Sequence, residues 1–140
     1  MADLKTELAT DPLGRGYDAM SDQEAADDLN SIYPSPDTRT RDRASLTASE
    51  VYNAVDQAGW AALSTADQQE VWNILHMGEV NPFGREAVRF TSIFGGGSAT
   101  ITALKVARVE SITRAQELQD ADPDFPSPVW PRLVTAARAN

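Results

Sequence analysis

Apolar residues recur at three- and four-residue spacing through most of the chain, and capping residues separate the runs. The densest pattern lies between Asn81 and Gln119. Phe83, Ala87, Phe90, Ile93 and Phe94 form one stripe, and Ile101, Leu104, Ile112, Ala115 and Leu118 form another. That period predicts helices over 83–94 and 98–119. Gly95-Gly96-Gly97-Ser98 stands between them. Glycine takes positive φ readily and can close the first helix, and the Ser98 hydroxyl can cap the second. The expectation is a central helical hairpin with its turn buried and Gly96 as the turn residue. Ala103, Val106, Ala107 and Val109 widen the stripe over the first half of the second helix, whereas Glu110, Arg114, Gln116 and Glu117 predict a more exposed second half.

The remaining elements are marked by caps. Ala2 to Ala9 predicts two turns of helix with Leu4 and Leu8 on one face. Pro12, Gly14 and Gly16 then shape a loop from Thr10 to Tyr17. Ser21-Asp22-Gln23-Glu24 is a capping box. Its helix, to about Ile32, has a thin apolar face of Ala25, Ala26, Leu29 and Ile32, so a mostly exposed helix is expected. Thr47-Ala48-Ser49-Glu50 is a second box, with a helix to about Ala62, and Thr65-Ala66-Asp67-Gln68 a third, with a helix to about His76. In this last helix Val71, Ile74 and Leu75 face inward, with Trp72 beside them and Gly78 as the stop. Asn81-Pro82 reads as a cap followed by a first helical residue. No segment alternates convincingly as a strand; Arg89-Phe90-Thr91-Ser92-Ile93 comes nearest.

The predicted fold is all-α: a small helical bundle on the central hairpin (83–94 and 98–119), with a loop-rich N-terminal arm and a proline-rich C-terminal tail. The expected organisation is 1–45 as short helices, shaped loop and linker, 46–119 as helical core, and 120–140 as tail. Tyr33 to Arg43 reads by default as a solvated linker, because Pro34, Pro36 and polar residues dominate it. Its alternative reading is an arm carrying Arg39, Arg41 and Arg43 to an acidic partner or to nucleic acid, although Asp37 and Asp42 dilute the charge. In the tail, Pro123, Pro126, Pro128 and Pro131 stiffen a segment that carries Phe125, Trp130 and Leu133. The tail either docks these on a neighbour or folds them back on its own helices. Tyr17, in the shaped loop, is expected against the hairpin or a neighbouring subunit.

Composition narrows the function. At 140 residues, one domain is expected. Twenty-one acids against 12 bases give a net charge of −9, which repels nucleic acid, so direct nucleic-acid binding is not expected. With no cysteine there is neither disulfide nor thiolate chemistry. No apolar run approaches a membrane span, and Met1 to Lys5 lacks the apolar core of a signal peptide, so a soluble protein made in a cytoplasm is expected.

Candidate chemistry is sparse. Gly95 to Thr100 resembles a phosphate loop, but Ala99 precedes Thr100 where lysine is required. Asp120, Asp122 and Asp124 alternate as in a calcium loop, yet Phe125 and Pro131 occupy the positions that need glycine and glutamate. His76 is the sole histidine, and one histidine without cysteine makes a poor zinc site. Asp22, Glu24, Asp27 and Asp28 could pair, but acids gather at helix starts for dipole reasons. No nucleophile elbow accompanies any serine. No enzyme activity, cofactor or metal is expected.

Three segments carry a resemblance: Asp11-Pro12-Leu13-Gly14-Arg15-Gly16-Tyr17 followed by Ala25-Ala26-Asp27-Asp28-Leu29-Asn30; Asn81-Pro82-Phe83-Gly84; and Ile93 to Leu104. In order and spacing, from Leu4 to Leu118, the chain resembles a family of small proteins encoded among the virion structural genes of tailed bacteriophages. The resemblance implies a virion protein made in the host cytoplasm and brings no functional residues with it. Small helical virion proteins typically ring the portal as neck adaptors or attach to head or tail, and this analogy of fold points to a head-to-tail adaptor or a peripheral attachment protein. The implied partners are portal, neck or tail subunits and further copies of the chain, in a ring or in multiple copies, with no membrane. The alternative is a non-virion phage protein whose acidic surface binds and inhibits a host factor.

Overall fold

The computed structural model describes residues 3–139. Helix accounts for 56% of the described residues, so the fold is mostly helical. It is not purely all-α, because four short strands interrupt the helices. In order, the elements are α1 (Leu4–Thr10), a 3₁₀ turn (Tyr17–Ala19), α2 (Asp22–Leu29), β1 (Arg39–Asp42), β2 (Leu46–Thr47), α3 (Ala48–Ala54), α4 (Gln57–Ala61), α5 (Thr65–Leu75), β3 (Glu79–Val80), α6 (Arg85–Phe94), α7 (Ala99–Ala107), β4 (Val109–Ile112), α8 (Arg114–Ala121) and α9 (Pro131–Ala139). β1 pairs with β4, and β2 with β3.

The chain forms two compact units. One joins the residues up to Arg41 with those from Ser111 onward; the other is Asp42–Glu110. The expected division into arm, core and tail is therefore regrouped: the N-terminal segment and the tail share one core.

In the first unit, Asp3 caps α1 and Ser21 with Glu24 forms the capping box of α2. The predicted helix start at Ala2 lies outside the described residues. α9 packs against α1 and α2. Leu4, Leu8, Tyr17, Ala25, Ala26, Leu29, Ala115, Leu118, Phe125, Val129 and Val134 make one cluster. The α2 stripe expected to be mostly exposed is thus buried at Ala25, Ala26 and Leu29, because α9 covers it. The tail is tied down by Asn30: its amide donates to the Val129 carbonyl at 2.7 Å and accepts the Val129 N–H at 2.8 Å. This pair of bonds imitates one rung of a strand ladder.

Among the described residues, buried polar side chains in this unit are partnered. Arg114 donates to buried Glu7 at 2.9 and 3.1 Å and also reaches Glu117. Burial opposes the charge on Glu117, but Arg39 and Arg114 outweigh it and hold its pKa below the usual carboxylate range. Arg15 grips Asp28 through two bonds, at 3.2 and 2.7 Å, and lies over the Tyr33 ring, 3.8 Å from its centre. Burial pushes the Tyr17 phenol up to about 12 and raises that of Tyr33 as well, so both stay neutral donors at physiological pH.

In the second unit, β2 and β3 pair antiparallel, with Leu46 opposite Val80 and Thr47 opposite Glu79. Around them pack Leu46, Val51, Val71, Ile74, Leu75, Val80, Phe90 and Ile101. A cavity of about 50 Å³ among Leu46, Val51, Val80, Phe90 and Ile101 belongs to this core.

Here the sequence expectation needs correcting. The helix predicted over 98–119 does not run through: α7 stops at Ala107, Val109–Ile112 is strand, and Thr113 starts α8 with its own capping box. The period of the apolar residues is compatible with one helix, but Val109 and Ile112 are β-branched, and β1 offers the segment a partner. The glycine turn is exposed rather than buried, and Gly95 rather than Gly96 takes positive φ, at 90°. α6 begins at Arg85 with Gly84 before it, not at Asn81-Pro82; Asn81 instead accepts the Phe83 N–H at 2.9 Å. α5 is capped by Ser64, one residue before the predicted box. Gly78 does stop α5, at φ 86°.

Candidate functional site

The second unit carries a groove of about 470 Å³ lined by Tyr52, Asn53, Val55, Gln57, Trp60, Val71, Trp72 and Leu75. Its origin is a break in a helix. The segment predicted as one helix to Ala62 divides at Val55, whose backbone is extended. Asp56 restarts the chain: its carboxylate accepts the Gly59 N–H at 2.9 Å, and its own N–H donates at 2.9 Å to the hydroxyl of Thr100, buried on α7. The break is therefore anchored from both sides. It separates α4 from α3, and α5 adds Val71, Trp72 and Leu75 to the lining.

The groove walls follow from helical geometry. Val51 faces the core, so its neighbour Tyr52 points outward and is 61% exposed. Val71 is buried, and the next residue, Trp72, is 42% exposed. Trp60 meets Trp72 edge-on with ring centres 5.8 Å apart, a favoured aromatic geometry. Tyr52 lies 6.5 Å from Trp72, and His76, one turn along α5, stacks on it at 6.3 Å. Gln68 donates to the Trp60 carbonyl at 2.9 Å and fixes α4 against α5.

The walls carry no charge, and the charged residues of α3 and α5 are all acids. From Ala44 to Gly84 there is no lysine or arginine, while Glu50, Asp56, Asp67, Glu70 and Glu79 are all present. Glu50 is engaged by Arg43, and Glu70 by Arg89. Asp56 is exposed and falls between the lining residues Val55 and Gln57. Such a groove suits an apolar or aromatic group that arrives with positive charge beside it, and it repels phosphate.

The residues singled out from sequence are scattered. Tyr17 and Phe125, expected at an interface, are core residues of the first unit, at 0% and 2% exposure, out of reach of any partner. The tail was expected either to dock or to fold back; it folds back, through Phe125, Val129 and Val134, and Leu133 is half-buried against the same cluster. Trp130 remains outside, 54% exposed. The three arginines engage the chain's own acids: Arg39 binds Glu117 at 2.7 Å, Arg41 binds Asp120 at 3.1 Å, and Arg43 binds Glu50 at 2.9 Å. The stretch 33–43 is accordingly not a bare linker, since Tyr33 is buried and Arg39–Asp42 is strand.

The acidic candidates are likewise engaged. Asp22 accepts from Thr135 and Arg138, and Asp28 from Arg15 and Tyr33. Among the described residues, no three side chains of metal-binding type gather into a cluster, and no helix is long and apolar enough to cross a membrane.

The groove was not singled out from sequence. Tyr52 and Trp72 stand next to buried Val51 and Val71, but only the break at Val55 brings Trp60 together with them in one surface. In comparisons with known proteins, no family model, no curated protein and no solved structure matches the chain.

Proposed function

We propose that this chain is a non-enzymatic structural protein of a tailed-phage particle, acting through protein–protein contacts as a neck adaptor or a peripheral attachment on head or tail. The observation that carries the contact role is the aromatic groove, where Tyr52 and Trp72 are held half in water by a fixed helix break. Large aromatic side chains presented on rigid elements are the usual anchors of protein interfaces. The virion setting rests on the resemblance of the segments from Asp11 to Leu104. Its test is mass spectrometry of purified particles. The chain recovered at stoichiometric amounts supports this role, and its absence from particles while abundant in infected cells overturns it.

A second reading is kept for one observation, the absence of basic residues from Ala44 to Gly84 within a chain of net charge −9. An acidic face of this kind suits binding to a basic surface of a host factor. Affinity capture from infected cells followed by competition with nucleic acid distinguishes it, because a mimic is displaced by nucleic acid and an adaptor is not.

A further inference from the structure

We infer that the groove of the second unit receives Trp130 of another copy of the same chain. The inference rests on reading the groove as a protein-docking surface and stands apart from the virion setting. Its acceptor is described above: an uncharged aromatic slot of about 470 Å³ with acids and no bases on the helices that build it. Its donor is at the start of α9. Trp130 is 54% exposed although its neighbours Val129 and Val134 are at 1% and 0%. Pro131 begins the helix directly after it, and Asn30 clamps the Val129 backbone just before it. The indole is thus displayed from a rigid base, and little entropy is lost when it docks.

Charge suits this donor. α9 carries Arg132 and Arg138 and no acid. Arg138 is engaged by Asp22 and the Tyr17 carbonyl. Arg132 is exposed, and among the described residues nothing bonds its guanidinium. A tryptophan with an unengaged arginine two residues on is complementary to an aromatic groove with Asp56 at its edge. Tryptophan, tyrosine and arginine are also the residues in which interface energy concentrates. The positive charge beside Trp130 and the negative charge beside the groove attract one another across two copies. The contact joins different surfaces on the two copies, so it is heterologous and propagates into a ring or a filament.

The test is sedimentation of the purified full chain over a wide concentration range, at low and at high salt. Concentration-dependent association that weakens with salt is expected. Trp130→Ala and Trp72→Ala should each weaken it about 30-fold or more while leaving the circular dichroism unchanged. Asn53→Arg, which blocks the groove without removing a core contact, should act like Trp72→Ala. The sharpest arm is an equimolar mixture of Trp130→Ala with Asn53→Arg. One intact donor and one intact acceptor remain, so the mixture should form dimers and nothing larger. A monomer at every concentration overturns the inference. So does association that survives Trp130→Ala or Asn53→Arg, or a mixture that stays monomeric. Absence from phage particles would remove the virion reading and leave this result standing.

Discussion

The two units handle polar and apolar surface in opposite ways. The first engages its charged groups internally: Glu7, Arg114, Glu117 and Arg39 form one connected series, and Arg15, Asp28 and Tyr33 another. Among the described residues, its exposed large apolar groups are Leu13, Ile32 and Trp130. The second leaves Tyr52, Trp72, Met77, Phe83, Val88, Val106 and Val109 exposed. A unit whose buried ions are all satisfied is held in one arrangement, because breaking any bond strands a charge in a poor solvent. A unit that keeps aromatics at its surface keeps surface free for contact. On the function proposed above, the second unit carries recognition and the first, Trp130 excepted, the scaffold.

The most severe way to break the comparison is to truncate after Asp122. This removes Phe125, Val129 and Val134 from the first core and strips α9 from α1 and α2. Loss of even one such aromatic costs about 3–5 kcal/mol. Hydrogen exchange should show α1 and α2 unprotected while residues 42–110 keep their protection. Retained protection in α1 and α2 would mean that the tail is not part of that core.

Next in size is the buried pair. Arg114→Ala leaves Glu7 buried without its partner, a loss of about 3–5 kcal/mol. The double change Glu7→Leu with Arg114→Met should recover most of it. Urea melts of the unaltered chain and the two variants check this, and equal loss in the single and double variants would mean that the pair itself stabilises the unit.

The glycine turn of the second unit offers a smaller effect. Gly95→Val places a branched side chain at φ 90° and should cost about 1–3 kcal/mol. Gly96→Val should change stability by less than about 0.5 kcal/mol, since its added carbon meets only Thr91, at 3.7 Å, in an exposed turn. Thermal melts that rank the two the other way would relocate the strained position.

The smallest effect is the pH response of Glu50. The Arg43 hydrogen bond, then the Thr47 backbone N–H, lower its pKa from 4.5 to about 2. A folded-state value below the unfolded one gives stability that is fully present above pH 4.5 and is lost as pH falls through about 2. Arg43→Gln should therefore flatten the loss of stability over that window and leave its slope near neutral pH unchanged. Denaturant titrations at pH 6, 4 and 2.5 measure this.

How much was legible in the chain itself differs between kinds of feature. The capping boxes at Ser21 and Thr47 and the Ser98 cap form as read, and so does the Gly78 stop. Each depends on hydrogen bonds that span three or four residues, so the local sequence contains both partners. The apolar stripes also located Val71, Ile74, Leu75 and Ile101 in the core. Periodicity could not decide whether residues 98–119 form one helix. That depended on β1, 67 or more positions earlier, offering itself as a strand partner.

Composition established an acidic chain without cysteine, and the local pattern established mostly helical elements with their starts. Tertiary structure decided the rest. It joined the two ends of the chain in one core, buried Tyr17 and Phe125, and set Arg39 and Arg41 against acids 78 and 79 residues away. It also turned three separate aromatics into a groove. The physical reason is range: a cap is satisfied by its own neighbours, whereas the burial of a side chain depends on what the rest of the chain brings to cover it.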